Sequence, residues 1–515
     1  MDGGSFDRWT RLLAERLTRR SGLATTAAAG VAAALGVAAE DAAAGKDGQR
    51  HRGRHQAGAA GPCGPTGKDN ICTKDKECCT GYCKPGKPGK AGRCRCVKMN
   101  KKCKKGQQCC GGGVCQNKTC KPPVPPCGAT GVACTADADC CSGLVCFEGQ
   151  CGPCIPTVCS SCTHKTVEAA YAAATSGDTI YIGSGTYPTE IIIDKSITLA
   201  ACPGVTDVVL QTARVNIYDS YFSILLDSDT DTTPYAVGLR NLTLEGTYPT
   251  NRDDALLRST RSEYINWTVE ECTVRNAYYG LYVLSGQHVI NRSKVEGCQK
   301  GVYVYYGNVR TDPMSLIVLS SEFTGNDSYT FTYAVSPSGP LVMDGCNFHD
   351  NNDGYDLYYY GASPNKGLTP VTITNTTVAN NGDSYTVSFS GGVVTMENCS
   401  ITNTGYSGLY ASSSDVTLID TEISGNTSSA GGGGIYLNAS GGAGYEANLT
   451  LEGTTTVTGN TATTGAGIYG YSADGVTNIT VTGGSRVSGN IGNNQCFMWV
   501  NGVWNAPVNC ATWTS

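Results

Sequence analysis

Charged side chains are scarce in this sequence of 515 residues: they make up 16% of it, and the formal net charge is −5. This balance offers no overall excess of positive charge, so nothing in it indicates nucleic acid as a partner. Histidine (5), tryptophan (5), methionine (6) and phenylalanine (8) are also rare. After residue 44 there is no run of about 20 apolar residues, which excludes a later transmembrane helix.

Glycine and cysteine, in contrast, are abundant, with 66 and 28 residues. Glycine together with frequent Thr, Ser and Asn favours strands and turns over helices. Of the cysteines, 21 fall between Cys63 and Cys162. Such a density of potential disulfides is typical of an oxidising compartment outside the cytoplasm.

The first 44 residues have the pattern of an export signal. Arg19 and Arg20 precede a mild apolar run, Leu23 to Ala39, and Ala42 to Ala44 offer a small-residue cleavage site. This segment resembles a twin-arginine signal peptide. The alternative is a membrane helix, but the run falls short of about 20 strongly apolar residues. We therefore predict a signal peptide over 1–44, a linker over 45–62, and a protein that is secreted or held at the cell surface.

Residues 63–162 form a cysteine-rich module of three six-cysteine units. Two units share the spacing C-x6-C-x5-C-C-x4-C-x4-C: Cys96, Cys103, Cys109, Cys110, Cys115, Cys120, and then Cys127, Cys134, Cys140, Cys141, Cys146, Cys151. A looser copy precedes them: Cys63, Cys72, Cys78, Cys79, Cys83, Cys94. Each unit is too short to bury an adequate core, so cross-links are expected to replace one.

This order of cysteines resembles that of the inhibitor cystine-knot (knottin) miniproteins. The resemblance implies pairing of the first cysteine with the fourth, the second with the fifth and the third with the sixth. Cys154, Cys159 and Cys162 are left over, and with Cys151 they also have the outline of a zinc site. The alternative is that Cys151 belongs to its knot and the others form bridges, one of them with Cys202. The spacing favours that alternative.

Positive charge is concentrated in this module. Lys68 to Lys121 holds 13 Lys and 2 Arg against three acidic residues. A basic miniprotein of this kind could dock on anionic glycans or lipid headgroups, or the charge could serve solubility alone.

From residue 163 to 495 the sequence predicts a right-handed parallel β-helix. Thr166 is a suitable cap for a short helix with apolar Val167, Ala170, Tyr171 and Ala174, and Gly177-Asp178 ends it. The helix and the following SGDTIYIGSGTY segment resemble the start of the pectin-lyase-like superfamily, mainly-β proteins in which such a helix plugs the end of the solenoid.

A repeat then continues almost to the end of the chain: an apolar residue, any residue, Gly, Asn or Asp, and usually Asn. Nine copies begin at Val274, Val295, Phe323, Phe348, Val378, Ile401, Ile423, Val457 and Val487, and their spacings of 21 to 34 residues suit one turn of a solenoid. Gly or Asn suits a left-handed corner, and stacked Asn side chains can bond from coil to coil. We predict a C-terminal cap over 496–515, with Cys496 and Cys510 in disulfides.

The sequence lacks the motifs of most enzymes with this fold. Of the polygalacturonase-type strings only Asp253-Asp254 is present, beside Arg258, and the pectin methylesterase strings are missing. A calcium-dependent, pectate-lyase-like site needs clustered carboxylates and a basic residue. The candidates are Asp350, Asp353, Asp356 and Arg310. The alternative is a polar corner and loop, with Asp350 in the repeat's corner position.

Tyrosines recur in neighbouring coils. Because alternate residues of a strand face opposite ways, Tyr303 and Tyr305 share a face that Val302 and Val304 do not. A column of exposed tyrosines would form a platform for sugar rings, although tyrosine is also simply a good strand residue. The predicted binding residues are Tyr282, Tyr303, Tyr305, Tyr358 and Tyr360.

The first functional hypothesis is therefore an exported protein that binds a polysaccharide or a cell-surface glycan through the solenoid. The second is a polysaccharide lyase or hydrolase, with calcium as the cofactor considered and the cysteine-rich module as an anchor. The third is a toxin-like or inhibitory role of the knots themselves.

Overall fold

A computed structural model describes residues 130–134, 140–141, 144–147, 150–212, 222–226, 234–247, 255–259, 265–283, 286–305, 315–335, 340–352, 354–361, 370–382, 386–440, 445–472 and 476–500, and the backbone of the strands named below outside these ranges. The predicted export signal and linker lie outside the described residues. Contacts divide the chain into two compact units, Ala43–Cys154 and one that contains Ile155–Ser515. No helix in the described part is long and apolar enough to cross a membrane.

The cysteine-rich unit is built from short antiparallel strands. These are Ile71–Cys72, Tyr82–Lys84 and Gly92–Arg95 in one sheet, and the hairpins Val114–Gln116 with Thr119–Lys121 and Leu144–Phe147 with Gln150–Pro153. In the third six-cysteine unit, Cys134 is bonded to Cys146 and Cys140 to Cys151. Both bonds have the second-to-fifth and third-to-sixth connectivity that the knottin resemblance implies.

The zinc alternative for the leftover cysteines is excluded. Cys151 is in a disulfide with Cys140, and Cys159 is bonded to Cys162. Cys154 and Cys202 are disulfide-bonded as well. Sulfurs joined in disulfides are not thiolates and cannot serve as zinc ligands.

The larger unit is a parallel β-helix whose coils each contribute one strand to three long sheets. Each coil runs from the first sheet through a corner into the second, and through another corner into the third. The strands of the first sheet are Thr179–Ile182, Ile197–Ala201, Tyr235–Arg240, Ile265–Glu270, Gln287–Asn291, Ser315–Leu319, Leu341–Asp344, Pro370–Thr374, Val393–Glu397, Asp415–Ile419, Glu446–Glu452 and Val476–Val481.

The strands of the second sheet are mostly three residues long. They are Gly185–Thr189, Val208–Thr212, Thr243–Glu245, Thr273–Arg275, Lys294–Glu296, Glu322–Thr324, Asn347–His349, Thr377–Ala379, Ser400–Thr402, Glu422–Ser424, Thr456–Thr458 and Arg486–Ser488. Thr427–Gly431 and Thr461–Thr464 form a separate two-stranded pair.

The third sheet runs the full length of the solenoid. Its parallel strands are Ile191–Ile193, Phe222–Leu226, Ala255–Ser259, Tyr279–Val283, Lys300–Tyr305, Tyr329–Val335, Tyr355–Gly361, Val387–Ser390, Leu409–Ser412, Ile435–Asn438, Ile468–Ser472 and Cys496–Val500. Val503–Val508 then pairs antiparallel with the last of these. Cys496 continues the stack and is disulfide-bonded.

The predicted helix is present at the start of the solenoid. It spans Val167–Ala173, the side chain of Thr166 accepts a hydrogen bond from the Ala169 amide, and Val167 and Ala170 are buried. They join the continuous apolar core that runs along the axis. The core repeats one apolar residue per strand, as at Leu244, Val274 and Val295 in the second sheet, so each coil completes the burial of its neighbours.

The corner between the second and third sheets confirms the predicted repeat. All nine corner positions have positive φ, between 54° and 67°: Asn276, Gly297, Gly325, Asp350, Asn380, Asn403, Gly425, Gly459 and Gly489. The next residue is a buried Asn in six of these coils. Asn326 donates to Asn351, and Asn426 donates to Asn460, from both the backbone and the side-chain nitrogen, at 2.9–3.1 Å. These are the coil-to-coil bonds of an asparagine ladder.

The corner between the first and second sheets carries a different column. Its buried residues after the corner are mainly Ser, Thr and Cys: Cys272, Ser293, Ser321, Cys346, Thr376, Cys399, Thr421 and Thr455. Backbone amides donate to the hydroxyl one coil further on, as from Ser293 to Ser321 at 3.2 Å and from Thr421 to Thr455 at 3.2 Å. Hydroxyl groups here accept the coil-to-coil bonds that asparagine amides accept at the other corner.

Candidate functional site: the tyrosine face of the third sheet

The outer face of the third sheet carries a column of aromatic side chains. Residues directly opposite one another in successive strands are Arg258, Tyr282, Tyr303, Thr332, Tyr358, Ser388, Tyr410, Tyr436, Tyr469 and Phe497. A second column, nearer the asparagine ladder, contains Tyr279, Lys300, Tyr329 and Tyr355. We call these two columns, together with Tyr360, the tyrosine face.

Strand alternation explains why the rings of the first column point outward. In Lys300–Tyr305, Val302 and Val304 are buried in the core, whereas Tyr303 between them is partly exposed. Not every tyrosine follows the outward pattern. Tyr333 and Tyr359 are buried and stack on each other in the interior, with ring centroids 5.9 Å apart.

The rings of adjacent coils contact each other along the column. Tyr282 and Tyr303 are stacked with centroids 5.7 Å apart, and Tyr436 and Tyr469 lie 5.0 Å apart. Tyr355 and Tyr358, from the two columns of one strand, are 4.7 Å apart. These distances fall in the range in which aromatic pairs attract each other, so the face carries runs of contacting rings, which Thr332 and Ser388 separate in the first column.

Burial favours the protonated form of four phenols of this face. Partial burial, followed by the neighbouring tyrosines Tyr355 and Tyr360, raises the pKa of Tyr358 to about 12. Burial also raises the pKa of Tyr355, Tyr436 and Tyr469. Each of these side chains therefore offers a ring surface and a hydroxyl that can both donate and accept.

The five predicted binding tyrosines belong to this sheet. Tyr282, Tyr303 and Tyr358 stand in one column, and Tyr360 is exposed, at 45%. Tyr305 is in register with Ala334, which in turn is in register with Tyr360 on the next strand. The side chain of Tyr305 lies outside the described residues. Tyr329, Tyr410, Tyr436 and Tyr469 were not among the predicted binding residues. They follow the positive-φ corner residue of their coil by 4, 7, 11 and 10 residues, so the corner repeat alone does not reveal them.

The predicted acidic site is not assembled by the described residues. Asp350 has φ 54°, lies at the corner with an exposed side chain, and its Oδ2 is 2.8 Å from Nδ1 of His349. Asp356 is buried inside the third sheet, where burial raises the pKa of its carboxyl to about 8. The two carboxyl groups thus occupy a solvent-facing and an interior position. Asp353 and Arg310 lie outside the described residues.

A polar groove of about 750 Å³ lies at the same corner. It is lined by Asp327, Asp350, Asn352, Asn380 and Gly382, among others. Its acidic groups already have partners: Asn352 donates to Asp327 at 2.6 Å, and His349 lies between Asp350 and Glu322. The groove therefore has the character of a satisfied polar corner.

Comparison with known proteins bears on the fold. A family model described as right handed beta helix region matches residues 256–422. Together with the three long parallel sheets, this match identifies the larger part of the chain as a right-handed parallel β-helix, which confirms the predicted fold class. No curated protein matches the chain.

Three solved structures illustrate the similarity. A pectin methylesterase from Aspergillus niger is 15% identical, with 51% of this chain and 83% of that chain covered and a TM-score of 0.34. A mannuronan C-5 epimerase A-module from Azotobacter vinelandii is 16% identical, with 63% and 93% covered and a TM-score of 0.35. A protein of Geobacillus virus E2 is 16% identical, with 65% and 58% covered and a TM-score of 0.35. At these values no activity is transferred to this chain.

Proposed function

We propose that this protein binds a polysaccharide chain along the tyrosine face. The observation that carries the proposal is the column of partly exposed tyrosines in register on one sheet, from Tyr282 to Tyr469. The predicted glycan-binding residues Tyr282, Tyr303 and Tyr358 belong to that column.

The physical fit concerns both shape and chemistry. A tyrosine ring offers an apolar surface to the C–H face of a sugar, and its hydroxyl offers a hydrogen bond to the sugar's rim. Strands repeat every ~4.8 Å, so a linear polymer that follows the solenoid axis meets ring after ring. Each contact is modest, and the repeated contacts of one chain add up.

We also propose that the protein acts outside the cytoplasm. Its disulfides, Cys134–Cys146 and Cys140–Cys151 among them, are the kind that oxidising compartments support. An extracellular location would bring the tyrosine face into contact with cell-wall or secreted polysaccharides.

The test is retention by polysaccharides in affinity gel electrophoresis, over a panel of acidic and neutral polymers. We expect the triple variant Tyr282→Ala, Tyr303→Ala, Tyr358→Ala to lose about tenfold or more in affinity, since several ring contacts disappear together. The matched triple Phe variant keeps the rings and is expected to retain most of the binding. A control triple on the second sheet, Thr273→Ala, Thr377→Ala, Thr456→Ala, should bind like the wild type.

Equal retention of the Ala and Phe variants, with melting temperatures unchanged, would contradict the proposal. The same incubations, analysed by mass spectrometry with calcium and with a chelator, test the enzymatic alternative. New oligosaccharides would replace the binding proposal with a catalytic one.

A further inference from the structure

Charge is distributed unevenly over the third sheet. Its thirteen strands contain three charged residues: Arg258, Lys300 and Asp356. The single acid, Asp356, is buried and its pKa is raised to about 8, so it does not present a negative charge to solvent at neutral pH. The charge that the strands of the tyrosine face display is therefore positive.

Lys300 is held among tyrosine rings. Its ammonium nitrogen lies 4.6 Å from the ring centroid of Tyr303, 4.8 Å from that of Tyr279, and within 5.8 Å of those of Tyr278 and Tyr329. It donates one hydrogen bond, to the Tyr279 hydroxyl at 3.3 Å. An ammonium has three donors, so this lysine keeps N–H groups that no protein acceptor takes up in the described structure.

Arg258 repeats the arrangement at the start of the column. Its guanidinium carbon lies 5.7 Å from the ring centroid of Tyr282, and it is partly exposed. Neither Arg258 nor Lys300 forms an ion pair with a carboxylate of the described residues. Cation–π contacts hold both side chains in place, and no carboxylate among the described residues compensates their charge.

The second sheet shows what compensated cations look like in the same solenoid. Arg275 lies 3.0 Å from Glu245, and Lys294 lies 2.9 Å from Glu296 and 3.4 Å from Glu322. Among the described residues, Arg275 and Lys294 of the second sheet are thus paired with carboxylates, whereas Arg258 and Lys300 of the third sheet are not. Two described corner acids that precede strands of the tyrosine face, Asp327 and Asp350, are engaged by Asn352 and His349.

A buried hydroxyl interrupts the aromatic column beside Lys300. Thr332 stands between Tyr303 and Tyr358, and its Oγ1 is buried without a hydrogen-bond partner in the described structure. A buried hydroxyl without a partner is costly, and most such groups in folded proteins have one. A ligand group that reached this position between the rings would satisfy it.

From these observations we infer that the tyrosine face takes a polysaccharide that carries acidic groups, with Lys300 and Arg258 as the residues that recognise the charge and Thr332 as an additional polar contact. This inference rests on the proposed function and sharpens it, because aromatic rings alone do not distinguish acidic from neutral sugars. The acidic group is a carboxylate or a sulfate, since both accept charge-assisted hydrogen bonds from an ammonium or guanidinium.

The experiment uses the full-length protein and two matched pairs of polymers. Polygalacturonate is compared with its methyl-esterified form, and dextran sulfate with dextran, so that charge changes while each backbone is kept. The wild type is expected to prefer the charged member of at least one pair by about tenfold or more, and to lose that preference between about 0.1 M and about 1 M NaCl as the screening length shortens from about 10 Å to about 3 Å. The pair that shows the preference identifies the acidic group.

Lys300→Met keeps the length of the side chain and removes the charge. We expect it to lower affinity for the acidic polymer by about tenfold or more and to leave the neutral member unchanged. Lys294→Met removes the same charge from a paired lysine on the second sheet, and it is expected to keep the preference. Thr332→Val is expected to bind less tightly while melting no lower than the wild type, which a purely structural role would not produce.

The inference is overturned if Lys300→Met and Lys294→Met keep the same acidic preference, or if the wild type binds both members of each pair equally. In either case binding that still depends on Tyr282, Tyr303 and Tyr358 leaves the proposed function in place. Retention by none of the four polymers, nor by any other polysaccharide, removes the proposed function itself.

Discussion

The cysteine-rich unit and the central coils of the solenoid bury cysteine in opposite chemical states. In the cysteine-rich unit, Cys140 and Cys151 are buried and form a disulfide with each other. In the solenoid, Cys272, Cys298, Cys346 and Cys399 are equally buried and remain thiols. Burial raises the pKa of Cys272, Cys346 and Cys399 to about 12, so their reactive thiolate form is absent at neutral pH.

The residues in adjacent coils explain why the buried cysteines of the central coils remain thiols. Three of these thiols stand in the corner column, where the adjacent coils carry Ser293, Thr376 or Thr421 rather than a second cysteine. Residues in adjacent coils are ~4.8 Å apart, close enough for a disulfide, so this alternation keeps the thiols single. A unit that cannot repeat needs cross-links, whereas a unit that repeats obtains its core from the next coil.

Reduction of the disulfides should produce the largest difference in behaviour between the two units. With a phosphine reductant we expect the Leu144–Pro153 hairpin to lose its amide protection, because removing the disulfides of such a small unit costs about 2–5 kcal/mol. Central coils such as Ile265–Thr402 contain no disulfide among their described residues and should keep their protection. Hydrogen exchange with mass spectrometry measures both at once. Simultaneous loss of protection in the central coils would show that the solenoid also depends on cross-links.

Breaking the asparagine ladder tests the solenoid's own support. Asn460 donates to Asn490 Oδ1 at 2.9 Å and to the Ile423 carbonyl at 3.0 Å, and it accepts two hydrogen bonds from Asn426. Asn460→Ala leaves buried groups unpaired, each at about 1–3 kcal/mol, and should lower the free energy of unfolding by an amount in that range or above.

Asn478→Ala provides the matched control, because Asn478 bonds to Asn448 on the exposed outer face of the first sheet. Its effect should stay within about 0.5 kcal/mol. Chemical denaturation of both variants measures the difference, and equal losses would refute the role assigned to the ladder.

A pH-dependent effect concerns Asp356, the buried acid among the described residues of the solenoid. Its pKa is about 8 when folded and 3.8 ordinarily, with burial as the main cause. Between about pH 4 and pH 8 the folded chain therefore holds a proton that the unfolded chain has released, and stability falls as pH rises through this window. Asp356→Asn should remove that slope, whereas Asp350→Asn, at an exposed corner, should keep it. Melting temperatures of the wild type and both variants at about pH 5 and about pH 8 measure this pH dependence of stability. An unchanged pH dependence in Asp356→Asn would contradict the raised pKa of Asp356.

The sequence revealed the solenoid because its repeat is local. Each corner needs a residue that tolerates positive φ, followed by a side chain that can bond to the next coil, and both requirements are visible in Gly425-Asn426 or Gly459-Asn460. The helix cap at Thr166 was visible for the same reason. The column of Ser, Thr and Cys at the other corner was not predicted, because short polar side chains occur in many turns.

The candidate site was predicted only in part because it depends on register. Alternation within one strand predicted that Tyr303 and Tyr305 share a face. Lys300 became significant only when Tyr279, Tyr303 and Tyr329 were placed around it, since these residues come from three different coils. Asp350 and Asp356 failed as a cluster for the converse reason: although they are close in sequence, they lie at a solvent-facing corner and in the interior.

The last rung of the asparagine ladder has a consequence for assembly. Asn490 finds no further asparagine beyond it; instead its backbone and side-chain nitrogens donate to Oε1 of Gln495 at 2.9 and 3.0 Å, and Gln495 donates back to the Asn490 carbonyl at 2.8 Å. One glutamine thereby closes a hydrogen-bond series that would otherwise offer a template to the next molecule. The residue that ends the hydrogen-bond series therefore lies only five positions after the last asparagine of the repeat.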